Sequence, residues 1–265
     1  MESTEKIELP LLVDVFAKGK KPEYLFWVGC FGAFDDRSKK ITRAFLKILN
    51  HCKTDFAVLG KEETCCGDPV RRAGNEMLYQ MQALTIIEIL KHYEVKKIVT
   101  LCPHCFNIFK NDYPDLGGKY EVIHYTTLLK QLINEKKLVL DETILKDKKI
   151  TYHDPCYLGR ANNEYDAPRN IIDKMTQSRK EMKRNKSFAL CCGAGGGQMF
   201  KEAEKGNKEI FLERTEEALN TGAEIIATAC PYCMVMFTDG LKYKNKEEEV
   251  LNIDISEIVV KAMKL

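Results

Sequence analysis

The chain has almost no surplus charge: 41 Lys and Arg stand against 39 Asp and Glu, a net +2 over 265 residues. Its lysines are spread along the sequence as solvated faces, so charge gives no case for nucleic acid or an anionic membrane as partner. Long apolar runs are missing too. Leu9-Pro10-Leu11-Leu12-Val13 follows a polar, acidic start and is too short and interrupted for a signal sequence or a bilayer span. We therefore expect no direct membrane span and a cytoplasmic location, with any attachment to the inner membrane made through a partner. Several chemistries are also absent. There is no P-loop and no Ser/His/Asp motif, and Gly193-Ala194-Gly195-Gly196-Gly197 breaks the dinucleotide fingerprint at Gln198. Phe106 and Met234 follow the two C-x-x-C motifs where covalent haem attachment needs His. A ferredoxin-type C-x-x-C-x-x-C run does not occur.

Cysteine is what the chain has in excess. Eleven cysteines in a reducing compartment argue for metal ligation or catalysis, and the odd total fits poorly with a disulfide framework. Ten of them form two copies of one pattern. Cys65-Cys66-Gly67 and Cys191-Cys192-Gly193 each follow a lone cysteine, Cys30 or Cys156, by 35 positions, and each precedes a Cys-Pro-x-Cys motif, Cys102 to Cys105 or Cys230 to Cys233. The repeat offset is 126 positions at the first motifs and 128 at the last.

The segments between the cysteines alternate in period. Buried strands are expected at Tyr24 to Gly29, Phe56 to Gly60, Lys97 to Leu101 and Tyr120 to His124, each leading to a cysteine or a helix cap. Helices are expected from Ser38 as cap through Cys52, from Gly74-Asn75 to Tyr93, from about Cys105, and from Thr127 to Lys136. The second copy restarts at Ile150 to Cys156. It continues with a helix around Pro168, a strand Phe188-Ala189-Leu190, a helix after Asn207, a strand Glu224 to Thr228 and a strand opening at Val250, the counterpart of Val122. The chain then divides into an arm, 1–22, for packing or for docking a partner, and two cysteine-rich domains, 23–146 and 147–265. The expected fold is α/β: two pseudo-symmetric repeats, each a small parallel sheet flanked by helices. The cysteines lie in loops at the strand carboxyl ends, where such folds place ligands.

Cys30, Cys65, Cys66, Cys102 and Cys105, then Cys156, Cys191, Cys192, Cys230 and Cys233, are the candidate ligands of two separate sites. Thiolates select soft metals such as zinc or the irons of a cluster. A tetrahedral zinc or a cubane cluster needs four, so a fifth thiol per repeat points to a larger or more open cluster. Zinc in one or both sites would leave one cysteine idle, making a structural or interaction protein. A dithiol-disulfide oxidoreductase using Cys-Pro-His-Cys and Cys-Pro-Tyr-Cys is a further reading, which leaves the Cys-Cys-Gly pairs unexplained. Cys52 falls on the apolar stripe of its helix and reads as core. His104 and His153 flank ligands and could donate to sulfur, move protons or simply pack.

These motifs, with Tyr152-His153-Asp154-Pro155-Cys156, resemble the duplicated cysteine-rich CCG domain found in the B-type polypeptide of heterodisulfide reductase. Glycolate and lactate oxidase iron-sulfur subunits and other Fe-S oxidoreductases carry the same domain. The resemblance covers residues 24 to 260. It implies two noncubane [4Fe-4S] clusters, each held by its five cysteines, with zinc or an ordinary cluster in one copy of some members. It implies an oxidoreductase subunit passing electrons between a partner redox protein and a disulfide, hydroxyacid-oxidase or quinone system. The expected partner is a ferredoxin-domain iron-sulfur subunit, possibly membrane-anchored in relatives, or a flavoprotein, with Leu9 to Phe16 as a docking element.

Overall fold

The computed structural model describes residues 7–202 and 205–263. Residues 1–6 of the arm therefore lie outside the described part. Two four-stranded, all-parallel sheets carry the chain. In the first, β1 (Tyr24–Trp27) lies between β2 (Phe56–Ala57) and β3 (Lys97–Thr100), and β4 (Glu121–His124) pairs with the far side of β3. The second repeats that order with β5 (Ile150–Tyr152), β6 (Arg179–Lys180), β7 (Ile225–Thr228) and β8 (Leu251–Asp254). Parallel neighbours need crossover helices, and helices on both faces bury the strands, which is why the central strands read as apolar runs rather than alternating ones.

Eleven helices are described: α1 (Leu12–Ala17), α2 (Gly29–Phe34), α3 (Asp36–His51), α4 (Asp68–Arg72), α5 (Glu76–His92), α6 (Pro103–Asn107), α7 (Tyr125–Asn134), α8 (Asp166–Asp173), α9 (Ile210–Leu219), α10 (Pro231–Tyr243) and α11 (Ile255–Ala262). On α3, Ile41, Phe45, Ile48 and Leu49 are buried at helical spacing. Its cap is Asp35, whose carboxylate accepts the Ser38 N–H at 2.7 Å, so Ser38 belongs to the first turn instead of capping it. Cys52 is the C-cap of α3, half-buried at the edge of the core rather than within it, with its thiol 3.5 Å from the Lys137 carbonyl.

Two further expectations change. Phe188-Ala189-Leu190 is no strand: Phe188 is 76% exposed and ends a short 3-10 turn. The edge position is taken by Arg179–Lys180, a polar pair that period-2 hydrophobicity cannot flag. The Val122 and Val250 equivalence is also displaced, because Val122 pairs with Ile98 whereas Asn252 pairs with Ile226. The arm, expected to pack or to dock a partner, packs against the end of the first sheet. Leu11 bridges Val58, the Leu12 N–H donates to the Val58 carbonyl at 2.8 Å, and Leu12 is buried.

The repeats share one core cluster. α11 packs on α3 and α7 on α8, so each repeat lends a helix to the other. Polar bonds fix this seam: Arg37 grips Glu257 at 2.9 and 2.6 Å, and the Tyr125 hydroxyl donates to the buried Asp254 carboxylate at 2.9 Å.

Candidate metal centre

Each repeat delivers its cysteines from three places at the carboxyl end of its sheet. Cys30 opens α2 just beyond β1, and Cys156 follows β5. Cys102 and Cys230 are the N-caps of α6 and α10, with Pro103 and Pro231 in the first helical position. One helical turn on, Cys105 and Cys233 point back at the same loop. The Cys-Cys pair ends on a glycine with positive φ, +88° at Gly67 and +97° at Gly193. That conformation turns the chain sharply, and a side chain at Gly67 would also meet the Tyr79 ring at 2.9 Å. The Tyr113 hydroxyl donates to the Cys66 carbonyl at 3.1 Å, holding the loop from the other side.

Both five-thiol sets come together. All eleven thiols are free, and Cys66 Sγ lies 3.4 Å from Cys105 Sγ. Within each set, three sulfurs are buried (Cys66, Cys102, Cys105; Cys192, Cys230, Cys233) and two are half-exposed (Cys30, Cys65; Cys156, Cys191). Protonation follows the same symmetry. Hydrogen bonds from Cys30 and Cys66 pull the Cys65 thiol down to about 3, and those from Cys156 and Cys192 pull Cys191 well down. The Gly193 N–H donates to Cys191 Sγ at 3.3 Å and helps. Their donors move the other way: Cys30 and Cys156 are held up by those bonds, and Cys192 is pushed up to about 12. Such an array favours a cationic centre that takes several thiolates at once, because without one the sulfurs must share protons.

The two sets are not separate. Cys102 and Cys230, equivalents in the repeat, act directly on each other's protonation. Around that contact four rings form a column across the pseudo-twofold. His104 stacks on its counterpart Tyr232 at 4.4 Å, Phe31 packs on Tyr232 at 4.1 Å, and Tyr157, the counterpart of Phe31, packs on His104 at 4.6 Å. The residue after each opening cysteine thus seats on the other repeat's Cys-Pro-x-Cys motif. His104 donates through Nδ1 to Asp68 at 2.7 Å; burial works against its charge, but Asp68 and the neighbouring thiols outweigh it and raise its pKa. Asp68 also pairs with Arg72 at 3.2 Å.

Surroundings differ between the sites. A void of about 10 Å³ sits among Cys30, Cys66, Cys102, Cys105, His104 and Tyr232. At the second site an open cleft of about 890 Å³ reaches Cys191 past Gly193, Gly195 and Met236. Of the residues that support the sites, Glu63, Arg169 and Arg214 escaped the sequence reading because nothing local marks them. Glu63 accepts the Val28 and Gly29 N–H groups at 3.1 and 2.6 Å, fixing the turn before Cys30, and burial pushes its pKa up to about 7. Asp154, buried in the loop before Cys156, takes a two-pronged Arg169 at 2.7 and 2.8 Å and accepts the Lys186 N–H at 2.7 Å, tying that loop to Lys186. His153 accepts from Arg214 at 3.0 Å, and burial with that adjacent cation pushes its pKa well below the usual histidine range.

The cysteine-rich domain of the CCG family matches residues 24–110 and again 150–238. The chain belongs to this family. Its duplicated CCG architecture is the one whose paired sheets and cysteine loops are described above. It is 44% identical over 257 residues to the "Probable iron-sulfur-binding oxidoreductase FadF" of Bacillus subtilis, covering 97% of this chain and 36% of that protein. It is 43% identical over 251 residues to the "EtfAB:quinone oxidoreductase" of Syntrophomonas wolfei, covering 92% of this chain and 35% of that one. Against the D-type polypeptide of the heterodisulfide reductase of Methanosarcina barkeri the identity is 34%, over 92% of this chain and 60% of the relative. This heterodisulfide reductase relative is of the D type, where the motifs alone resembled the B type. The chain spans between about a third and three-fifths of the length of these relatives. Among the described residues no helix is long and apolar enough to cross a membrane.

Proposed function

We propose that this CCG chain is an iron-sulfur electron-transfer module of an oxidoreductase, with its ten repeat cysteines as the ligands of two adjoining clusters. The observation that supports this reading best is that each repeat gathers five free thiols at the carboxyl end of its sheet, three of them buried. The donor set suits iron-sulfur chemistry: every repeat thiol is free, three per site are buried, and main-chain N–H groups such as that of Gly193 face sulfur. Zinc would use four thiolates per site and leave a fifth idle. Bound iron would supply one-electron transfer; the chain's part is to hold the sulfurs, exclude water at the buried edge and leave the edge with Cys30, Cys65, Cys156 and Cys191 open.

The partner is proposed to be a flavoprotein feeding a quinone system, since the relative named for EtfAB and quinone is more similar than the disulfide reductase polypeptide. A "Probable membrane-anchored ferredoxin" of Chromohalobacter salexigens, 37% identical over 97% of this chain, supports a ferredoxin-type neighbour and attachment to the membrane through it. Anaerobically purified protein should be brown and contain several irons and acid-labile sulfides per chain. It should be reduced by a reduced electron-transfer flavoprotein and not by a soluble nicotinamide donor alone. A colourless chain holding stoichiometric zinc after anaerobic reconstitution with iron and sulfide would overturn the reading.

A further inference from the structure

Two buried ring nitrogens next to the thiol arrays have no partner: Nε1 of Trp27 and Nε2 of His153. Both side chains are fully buried. A buried, unsatisfied N–H is costly, and the groups that remain so in a native fold ask for an acceptor. The two residues are also equivalents. His153 stands 126 positions after Trp27, the same offset that relates Cys30 to Cys156.

Their packing matches. The Trp27 ring meets Phe109 edge-on at 4.7 Å and 72°, and the His153 ring meets Phe237 edge-on at 5.1 Å and 67°. Phe237 is the counterpart of Phe109 at the offset of 128 that relates Cys105 to Cys233. Both rings lie near the same cysteine of their repeat, beyond hydrogen-bond distance of its sulfur. A methyl group built on Gly29 would lie 3.4 Å from Cys105 Sγ and 4.0 Å from Cδ1 of Trp27, the ring atom bonded to its N–H. In the second repeat a His153 nitrogen and the sulfurs of Cys192 and Cys233 all lie within 4.8 Å of one another.

His153, Cys192 and Cys233 taken alone would pass for three ligands of one metal ion. Arg214 decides otherwise. Its guanidinium can only donate, and its Nε–H points at His153 Nδ1 at 3.0 Å, so Nδ1 is an acceptor and the hydrogen sits on Nε2. Arg214 cannot turn away, because its Nη1 is held by the Arg184 carbonyl at 2.8 Å and by Glu217 at 3.1 Å. An Nε2 that carries hydrogen has no lone pair for a metal. Arg214 thereby makes histidine present the same group as tryptophan, a neutral ring N–H.

We infer that one repeat position supplies a ring N–H hydrogen bond to sulfur at each metal centre: Trp27 to the Cys105 side of the first and His153 to the Cys192 and Cys233 side of the second. These bonds set the centres' potentials without either ring being a ligand. An N–H donated to a metal-bound sulfur withdraws electron density and favours the reduced state, so its removal shifts that centre to more negative potential. The effect on potential rests on the iron-sulfur reading above; the hydrogen bond does not.

Two experiments test this. In the chain loaded with cadmium-113 alone, the Trp27 indole proton should show scalar coupling to the metal across the sulfur. Trp27 is the sole tryptophan, so the resonance is unambiguous. Absence of the coupling in metal-loaded protein overturns the bond whether or not iron is the native metal. In iron-loaded protein, Trp27→Phe and His153→Phe should each change the oxidised-to-reduced ratio of their own centre at fixed potential by about tenfold or more, which is about 59 mV for one electron. His153→Gln, which can still donate, should stay near wild type. Unchanged potentials in both Phe variants at full iron content overturn the inference, and so does loss of metal in His153→Gln, which would make His153 a ligand. A chain that takes cadmium with the coupling present but no iron or sulfide refutes only the iron-sulfur reading.

Discussion

Cys66 and Cys52 both lie against the main core cluster, yet their surroundings assign them different work. Cys66 is buried 3.4 Å from Cys105 within its five-thiol set, whereas Cys52 caps α3 with its thiol near a main-chain carbonyl. Burial pushes the Cys52 thiol up to about 11, which keeps it protonated and unreactive at neutral pH. Cys66→Ser should therefore lose the metal of the first site, and Cys52→Ser should keep full metal content while lowering thermal stability slightly. Metal analysis and spectroscopy of both variants check this, and metal loss from Cys52→Ser alone would contradict it. Two wholly separate sites would leave the second unaffected in Cys66→Ser. The rings stacked between the two sites, His104 on Tyr232, instead predict that the second site's spectrum shifts as well.

Among the elements, the N-terminal arm shows how backbone pairing changes a functional reading. Its apolar residues invite a docking role, but Leu12 is buried against the sheet and the Val58 N–H and carbonyl bond Pro10 and Leu12 at 2.9 and 2.8 Å. Removing a buried leucine costs about 2–4 kcal/mol, from lost apolar burial and the cavity left behind. Leu12→Ala should accordingly lower the unfolding free energy by that amount in urea titrations, while leaving partner affinity unchanged in pull-down assays. The outward Leu9 and Val13, 50% and 45% exposed, are the arm residues that a partner could still touch.

The two repeats behave as one folded body at their seam, where Tyr125 of the first meets Asp254 of the second. Burial raises the Asp254 pKa to about 7 against 3.8 for the free side chain; hydrogen bonds from Ser256 oppose the shift and the Glu257 charge adds to it. The unfolded chain then releases this proton near pH 4 while the folded chain keeps it to about pH 7, so the unfolded state binds fewer protons in between. The group's contribution to stability is greatest below about pH 4 and is lost as pH rises through 7. Asp254→Asn, which retains helix-capping ability, should flatten that fall. Thermal melts of wild type and variant from pH 4 to 8 should diverge most at the upper end, and parallel curves would refute the assignment.

Spacing alone determined a good deal here. Two five-thiol sets, the repeat, the parallel α/β scheme and most helices were legible because cysteine pairs, glycine turns and 3.6-residue periodicity are local signals. Phe188 to Leu190 misled because a short apolar run carries no record of its pairing partner, and Arg179–Lys180 was silent because edge strands need no apolar face. What only the tertiary structure decided is everything that depends on residues from both repeats or from distant elements meeting. Cys102 against Cys230, the ring column through His104 and Tyr232, Glu63 under Cys30 and Arg214 behind His153 are all of this kind. Hydrogen-bond direction and burial are properties of assembled neighbours, so His153 reads in the sequence as a ligand's neighbour, a proton carrier or packing, and becomes an N–H donor only once Arg214 is beside it.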